Sequence, residues 1–462
     1  MLTLYDTRGT RRSFLRVGGL TLGGLSLLDW LSVRAEAASV REAVTDKSVV
    51  FLFMHGGPSQ VETFDPKMTA PSNIRSATGE VATRIPGITF GGTFPRLAAM
   101  ADRVSVVRSF VTGDGRHDIK PIVCKDTLNA NLGSVYARVV GANHPVTGMP
   151  TTAALFPQAV DPTTRPTTMQ FGKFTATGSL GAVYAPFVPG AGGDLQQDMK
   201  LKLPMNRLDD RRRLLATLDR LRAALDRSGA WEGFDRLREQ AFDTILAGVA
   251  DAFDLSKEPE SVLRRYDTAP LWPPDQISKR WNNYNNYVDN AKSLGKLLLL
   301  ARRLCERGCR FVTITTNFVW DMHADQNNAG VEEGMRYMGE PFDWAVSAFL
   351  EDLEARGLSD DILLVCCGEM GRTPKINNRG GRDHWGNLAP LLLAGGGLKM
   401  GRVIGQSSRD AGEPASEPYR IPNLVSTILH TLFDVGRLRL VPRVPNEILR
   451  LASAAEPIDG LV

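Results

Sequence analysis

The sequence contains few of the residues on which several classes of site depend. It has only five cysteines and six histidines in 462 residues, too few cysteines for the disulfide framework of a small secreted domain. Cys366 and Cys367 lie inside an apolar run and are expected to be small buried residues. Cys305 and Cys309 stand four positions apart near the end of a predicted helix, and the sequence does not decide whether they form a disulfide. No zinc site built on cysteine is expected.

The chain also lacks a strong charge of either sign and several familiar motifs. Its 55 lysines and arginines and 51 aspartates and glutamates give a formal net charge of +4, which offers no basis for nucleic-acid binding. No stretch after residue 38 is long and apolar enough to anchor the mature chain in a membrane. The absence of GxxxxGK[ST], GxGxxG and GxSxG weighs against nucleotide binding and α/β-hydrolase chemistry. With 43% hydrophobic residues, the composition is that of a globular protein.

Residues 1–38 are expected to be an export signal that is not part of the fold. The pair Arg11-Arg12 is followed by a weakly apolar, glycine-rich run and by the small-x-small sequence Ala35-Glu36-Ala37. This layout is typical of a twin-arginine (Tat) signal, and the alternative is a chance arginine pair before an amphipathic helix. The Tat translocase would then be a partner during export, and the mature domain at 39–462 would be periplasmic or secreted. Because Tat substrates cross the membrane folded, a metal can be acquired in the cytoplasm.

Apolar runs and amphipathic patterns alternate along the rest of the chain. Buried strands are predicted at residues 48–54, 104–110, 310–316, 362–367 and 391–394. Helices are predicted at residues 94–101, 208–227, 231–252, 291–306, 341–356 and 421–432. The alternation predicts a three-layer α/β/α sandwich around a mostly parallel sheet. Residues 205–306 are expected to be mainly helical, either as a cap inserted in the α/β core or as helices beside the sheet.

Side chains that can bind a metal follow the ends of the predicted strands. Four of the six histidines do so, namely His55, His117, His323 and His384. Asp321 and His323 lie two residues apart and so point to one side of an extended chain. Asp383 and His384 are adjacent, and only an irregular loop lets them share a site. The other oxygen donors at strand ends are Asp65 and Glu369. Such nitrogen and oxygen donors suit a divalent metal: Zn, Mn, Mg, Ca or Fe.

Each of these residues also has an interpretation without a metal. Asp321 can be a turn residue that caps a helix and leaves His323 at the surface, and Asp383 can bond to Arg382 or Arg379. His55 can be a histidine that bonds to the backbone at a turn. His117 can stand at the start of a helix.

The loop after the strand at 362–367 is cationic. It contains Arg372, Arg379 and Arg382, and guanidinium groups bind phosphate or sulfate in a bidentate manner. The alternative is that these arginines pair with Glu369 and Asp383.

Four segments of the sequence together resemble one protein family. They are MHGGPSQVETFDPK, WDMH, GEMGRTPKINNRGGRDHWG and PLLLAGGG, and they resemble the DUF1501 proteins, which are exported bacterial proteins of poorly defined function. That family is similar in layout to the alkaline phosphatase/sulfatase superfamily. The resemblance implies an alkaline-phosphatase-like α/β/α fold over nearly the whole mature chain.

The resemblance also implies roles for particular positions. His55 stands where the superfamily has a metal-binding aspartate, and Asp321 and His323 match its later metal-binding pair. Glu369 stands where an Asp-His pair is usual, and His384 matches the final histidine. The nucleophile region of the superfamily falls on residues 109–118, where His117 or Thr112 replaces the usual Ser, Thr or Cys.

The function implied is metal-dependent hydrolysis of phosphate or sulfate esters, with a small molecule or a glycan ester as substrate. The predicted metal ligands are His55, Asp321, His323, Glu369, Asp383 and His384. The predicted catalytic residues are Arg372 and Arg382, which would neutralise developing charge, and His117, a nucleophile or general acid/base. The alternative is a catalytically silent binding or structural protein of the cell envelope that keeps the fold.

Overall fold

The computed structural model describes residues 39–190 and 249–462. The predicted signal at 1–38, the helix predicted at 208–227 and nearly all of the helix predicted at 231–252 lie outside the described residues. Within the described ranges, no helix is long and apolar enough to cross a membrane.

The strands of the described chain are short, and seven of them form one central sheet. In chain order the strands are β1 (Ser48–Phe53), β2 (Glu80–Ala82), β3 (Thr89–Gly91), β4 (Ser105–Val107), β5 (Phe110–Val111), β6 (Thr152–Leu155), β7 (Phe311–Ile314), β8 (Ile362–Cys367), β9 (Gly371–Arg372), β10 (His384–Trp385), β11 (Leu391–Gly395), β12 (Arg402–Ile404) and β13 (Tyr419–Arg420). The strand predicted at 104–110 is thus divided into β4 and β5.

The two longest helices of the described chain lie in its second half. In chain order the helices are α1 (Pro95–Ala99), α2 (Leu132–Val140), α3 (Ala250–Phe253), α4 (Glu260–Tyr266), α5 (Tyr284–Glu306), α6 (Val331–Arg356), α7 (Ile421–Leu432), α8 (Val435–Leu438) and α9 (Asn446–Ala452). Helix α6 begins ten residues before the predicted start at Pro341, which lies inside it.

The central sheet is mostly parallel. Its strand order is β12-β4-β11-β8-β1-β7-β6, and only β11 runs against its neighbours β4 and β8. Strand β1 lies near the middle and pairs in parallel with β8 on one side and β7 on the other. The predicted fold class, a three-layer α/β/α sandwich with a mostly parallel sheet, is confirmed.

Alternate side chains of β1 belong to two separate cores, as expected for a strand buried on both faces. Val50 and Leu52 face a core that they share with α1, α5 and α6. Val49 and Phe51 face a second core, shared with α2 and α7. Helix α5 packs against β7 and α6. The described part of the segment predicted to be mainly helical, residues 249–306, therefore contains a helix that flanks the sheet.

The carboxyl ends of β1, β7 and β8 meet at one edge of the sheet, because these strands are adjacent and parallel. Strand β11 starts at the same edge, since Leu391 pairs with Cys367 at the end of β8. The loops that follow the three parallel strands, and the segment that leads into β11, are thereby brought together. This is the edge at which open α/β sheets bind their ligands.

Candidate metal centre

Four side chains converge at this edge: His117, Asp321, His323 and His384. One ligand atom of each lies within 4.8 Å of the others. The Oδ1 atom of Asp321 is 3.0 Å from Nε2 of His323, 3.4 Å from Nε2 of His384 and 3.6 Å from Nε2 of His117. The ligand atoms of a tetrahedral zinc ion lie about 3.3 Å apart, given zinc–nitrogen bonds of about 2.0 Å. We call these four residues the cluster.

The loops after β1 and β7 position Asp321. The backbone N–H groups of Val319 and Trp320 both donate to the carbonyl oxygen of His55, at 3.1 Å. Gly56 permits this close approach, because its φ is +111° and a Cβ atom there would lie 2.6 Å from the backbone nitrogen of Asp321. His323 reaches the carboxylate of Asp321 through a tight three-residue turn, in which its backbone N–H donates to the carbonyl oxygen of Asp321 at 3.1 Å, and not through the extended backbone predicted from the sequence.

Two further segments supply the other histidines. His384 lies in β10, which pairs with β9 so that His384 is opposite Arg372. His117 lies on the loop after β5, which passes close to β10, since a Cβ atom at Gly115 would lie 3.0 Å from Cβ of His384. The buried Nζ of Lys120 ties this loop together by bonding to side-chain oxygens of Asp114 and Asp118 and to the carbonyl oxygen of residue 116.

The outer nitrogens of two cluster histidines face carboxylates. Nδ1 of His117 lies 3.0 Å from Oε1 of Glu369, and Nδ1 of His323 lies 3.1 Å from Oδ1 of Asp383. A histidine that donates its Nδ1 hydrogen to a carboxylate presents the lone pair of Nε2 on its other side. Histidines that bind metals in proteins are usually held in this way. Both Nε2 atoms here point towards Asp321.

Arg372 occupies the inner side of the cluster and is completely buried. It donates to Asp321 Oδ1 and to the carbonyl oxygens of Gly56 and Gly57, and its Nη1 lies 3.3 Å from Nε2 of His323. The cluster and its immediate partners thus contain three carboxylates and one guanidinium group. With neutral histidines and all three carboxylates ionised, the formal charge is an excess of two negative charges.

The pKa values of the cluster are shifted in different directions. Burial lowers the pKa of His117 to about 4. Burial also acts to lower the pKa of His323, but its hydrogen bond to Asp321 and the charge of that carboxylate outweigh it and raise the pKa. For Asp321 itself, burial acts to raise the pKa. The Arg372 charge and the hydrogen bonds that His323 and His384 donate when their rings are protonated outweigh it and hold the pKa well below its usual value.

Glu369 and Asp383, both predicted as ligands, lie behind the histidines rather than beside the cluster's centre. Glu369 is fully buried, accepts hydrogen bonds from the backbone N–H of Gly56 with both oxygens, and has its pKa raised by burial to about 7. Asp383 is half exposed and also accepts from the side chain of Asn377. The structure therefore places both carboxylates where they orient histidines.

His55 lies near the cluster but is not one of the four residues. Its ring packs among Phe53, Phe171, Phe174 and Phe318. Both ring nitrogens are buried and have no hydrogen-bond partner among the described residues, and burial lowers the pKa. Its hydrogen bonds to the Asp321 loop are made by its carbonyl oxygen.

Three other predicted residues lie away from the cluster. Arg382 is completely buried, pairs with Glu62 and has no recorded bond to any cluster residue. Arg379 is exposed. Asp65 pairs with Lys67 and Arg108.

One buried residue beside the cluster, Asn328, could not be predicted from the sequence. Asn328 is 2% exposed and donates a hydrogen bond of 3.1 Å from Nδ2 to Oδ2 of Asp321. It lies seven positions after Asp321 in a polar loop, and its closeness depends on the path of that loop. Asn328 fixes the carboxylate oxygen that faces away from the histidines.

A family model described as "Protein of unknown function (DUF1501)" matches residues 46–462. The chain belongs to this family. The family resemblance stated from the sequence is thereby confirmed. No curated protein matches the chain.

Solved structures similar to this DUF1501 chain include the PsFucS1 sulfatase from Pseudoalteromonas sp., with 11% identity, a TM-score of 0.35 and coverage of 87% of this chain and 71% of that chain. Another is Ps i-CgsB in complex with k-i-k-neocarrahexaose, with 11% identity, a TM-score of 0.33 and coverage of 83% and 71%. A third is the lipoteichoic acid synthase LtaP from Listeria monocytogenes, with 6% identity, a TM-score of 0.31 and coverage of 86% and 77%. Similarity at these values carries no conclusion about activity or substrate.

Proposed function

We propose that the cluster binds a divalent metal ion and that the protein is an exported, metal-dependent hydrolase of phosphate or sulfate esters. The observation that carries the metal proposal is the orientation of the histidines. Two of them, His117 and His323, face carboxylates with Nδ1 and Asp321 with Nε2. In the neutral tautomers that this favours, nitrogen lone pairs and a carboxylate oxygen point at one another, and a cation between them relieves the repulsion.

The charge and the donor types fit such an ion. With Glu369 ionised, a divalent cation balances the excess of two negative charges around the cluster. Three imidazole nitrogens and one carboxylate oxygen suit Zn and other borderline transition metals better than Ca or Mg, which prefer oxygen ligands. This ligand set is smaller than the six residues predicted from the sequence, and it includes His117, which was predicted to be catalytic.

The residues around the cluster have distinct parts in this proposal. A divalent metal in such a site acts as a Lewis acid on an ester oxygen and lowers the pKa of water. Arg372 keeps Asp321 ionised and fixes it to the loop after β1. Asp383 holds the tautomer of His323. Glu369, with a pKa of about 7, holds or releases a proton opposite Nδ1 of His117 near neutral pH.

The substrate class and the location rest on the sequence. The order of the motifs resembles the phosphatase/sulfatase superfamily, which supports phosphate or sulfate esters, of a small molecule or a glycan, as substrates. The pair Arg11-Arg12 and the apolar run that follows support export by the Tat translocase to the periplasm or beyond.

One observation favours the second candidate, a binding or structural protein without turnover. Among the described residues, no serine, threonine or cysteine side chain has a recorded bond to a cluster residue. His117 occupies the region where the superfamily has its nucleophile. A protein that kept a metal but lost this nucleophile would bind a ligand without the covalent step.

The two candidates are separated by measuring metal and turnover on the same samples. The wild type would be compared with the double variant His323→Ala/His384→Ala and with His430→Ala, an exposed histidine on α7. Metal content would be measured by elemental analysis, and turnover on 4-nitrophenyl sulfate, 4-nitrophenyl phosphate and sulfated and phosphorylated sugars. We expect about one metal ion per chain, lost together with turnover only in the double variant. Metal without turnover would favour the second candidate, and a metal-free wild type would refute the metal proposal.

A further inference from the structure

A cavity of about 710 Å³ lies next to the cluster, and Asp321 forms part of its lining. Its size is within the range of small-molecule sites. The aromatic rings of Phe171 and Phe318 also line it. These rings stack with their centroids 4.5 Å apart, and both contact the ring of His117. One wall of the cavity is therefore shared with the cluster.

Amide side chains are unusually frequent in the lining of this cavity. They are Gln170, Asn283, Asn286, Asn317, Asn327 and Asn328. An amide group offers both a donor and an acceptor, and so does a hydroxyl group, so an amide-rich wall matches a surface with several hydroxyl groups.

Some of these amide atoms are available to a ligand. Within the described chain, no hydrogen bond is recorded for the side chain of Gln170, for Oδ1 of Asn286 or for Nδ2 of Asn327. Asn317 is different, because it bonds to backbone groups of residues 166 and 168 and therefore holds the wall itself.

The charges of the lining disfavour a polyanion. Among the lining residues within 39–190 and 249–462, one side chain is cationic, Arg165, and two are carboxylates, Asp321 and Asp325. A nucleotide or polyphosphate in this space would meet carboxylates without enough cations to offset them. The lining thus favours an uncharged group with the anionic part of the ligand elsewhere.

A chain of three amides connects the cavity to the cluster. Nδ2 of Asn286 donates to Oδ1 of Asn283 at 3.1 Å, and Nδ2 of Asn283 donates to Oδ1 of Asn328 at 2.6 Å. Asn328 then donates to Asp321. Because all the donors point the same way, each bond polarises the next, and the carboxylate at the end strengthens the chain.

We propose that this cavity binds an uncharged, hydroxyl-rich group of the ligand, of the chemical class of a sugar ring, with Gln170, Asn286 and Asn327 bonding to its hydroxyl groups. The inference rests on the proposed function only for placing the ester group of the same ligand at the cluster. A flat face of Phe171 or Phe318 would cover the C–H side of the ring. The amide chain makes a ligand at Asn286 also act on the orientation of Asp321.

The test is direct binding, measured by saturation-transfer NMR on the full chain without any need for hydrolysis. The probes are glucose, galactose, mannose and N-acetylglucosamine, with adenosine as a ligand of a different class. The variants are Gln170→Ala at the rim and Asn286→Ala. The matched control is Asn285→Ala, one position earlier on α5 and outside the cavity lining. Thermal unfolding would show that each variant is folded.

We expect at least one sugar to bind the wild type and the Asn285→Ala control equally well. Its affinity should fall about fivefold or more in Asn286→Ala, since a lost hydrogen bond is worth roughly 1 kcal/mol or more. Gln170→Ala should weaken the same sugar. No sugar binding, a preference for adenosine, or an equal loss in Asn285→Ala would overturn the inference.

A further variant, His384→Ala, separates this inference from the proposed function. Sugar binding that persists in His384→Ala supports the cavity. Sugar binding through Asn286 in a protein that hydrolyses no ester would support the cavity and refute the hydrolase proposal. Ester hydrolysis by a protein that binds no sugar would overturn the cavity and leave the hydrolase proposal standing.

Discussion

Arg382 and Arg372 belong to the same loop region and are both completely buried, yet their surroundings differ. Arg382 pairs with Glu62, which is also fully buried, and its other N–H groups donate to backbone carbonyl oxygens. Arg372 pairs with Asp321, but Oδ1 of that carboxylate also lies within 3.6 Å of three histidine nitrogens.

The two arginines differ in whether the charges around them are fully paired. In the Arg382–Glu62 pair, every charge has its partner, so the pair can hold the loop in place without any ligand. Around Arg372, the nitrogens of the cluster outnumber the carboxylate oxygens that face them, and two carboxylates behind the histidines add negative charge. A buried charge alone therefore does not mark a functional site. A functional site is indicated instead by converging donor atoms whose charges are not fully neutralised by their neighbours.

The largest expected effect comes from breaking the complete pair. Arg382→Met would leave the buried carboxylate of Glu62 uncompensated and should lower the free energy of unfolding by about 3–5 kcal/mol. Urea unfolding would measure this. Arg379→Met, an exposed arginine of the same loop, should change the free energy by no more than about 0.5 kcal/mol. If Arg382→Met cost no more than this control, the pair would not hold the loop.

Removal of a cluster histidine should weaken metal binding strongly and have much less effect on the free energy of unfolding. His323→Ala should lower metal affinity by more than about 100-fold, because loss of a supporting partner alone costs 10- to 100-fold. At a pH above the folded pKa of His323, where the ring is neutral, the unfolding free energy of the metal-free protein should change little, since His323 is only partly buried. Calorimetric titration with Zn would measure the affinity, and His430→Ala is the control. Unchanged affinity in His323→Ala would remove His323 from the site.

A smaller effect is expected from the carboxylate behind that histidine. Asp383→Asn keeps the shape of the side chain but weakens the hold on Nδ1 of His323, so metal affinity should fall about 10- to 100-fold. Asp360→Asn, at an exposed position before β8, should leave the same titration unchanged. Equal affinities in wild type and Asp383→Asn would show that Asp383 does not orient His323.

The smallest effect is expected in the pH dependence of stability, which should differ between the metal-free and the Zn-loaded protein. The pKa of His323 is raised in the folded, metal-free protein, chiefly by Asp321 acting against burial. Protonated His323 therefore stabilises the fold below its ordinary pKa of about 6.5, and this contribution is lost as pH rises through the higher folded pKa. Metal binding requires the deprotonated ring, so affinity should instead rise over the same window.

Thermal unfolding of chelator-treated and Zn-loaded protein between pH 6 and pH 9 would measure this difference. In wild type, the unfolding temperature should change with pH in opposite directions for the two samples, and His323→Gln should abolish this difference. The same slope with and without metal would contradict the assignment.

Much of the fold could be predicted from the sequence, because buried strands leave a strong local pattern. The strand predicted at 362–367 has the observed bounds of β8, and the prediction at 48–54 differs from β1 by one residue. The start of α6 was missed, since Pro341 reads as a helix start, whereas ten residues before it are also helical. The split of the strand at 104–110 was also missed. Arg108 turns away there to donate to carbonyl oxygens of residues 64 and 89.

The site could be predicted only in part. Asp321, His323 and His384, which the structure brings together, could be singled out from the sequence because a position after a strand end is a local signal. The position of His117 beside them depends on the path of the loop after β5, and the pairing of Arg382 with Glu62 spans 320 positions of sequence. No local pattern encodes either contact. Asn328 and the amide chain were missed for the same reason.

The most direct test of the cluster as a metal site is anomalous diffraction from crystals grown with Zn, recorded on both sides of the Zn absorption edge. We expect one strong peak enclosed by Nε2 of His117, His323 and His384 and Oδ1 of Asp321, absent in crystals of His323→Ala/His384→Ala. A fully ordered cluster with no peak there, or a peak bound by other residues, would contradict it.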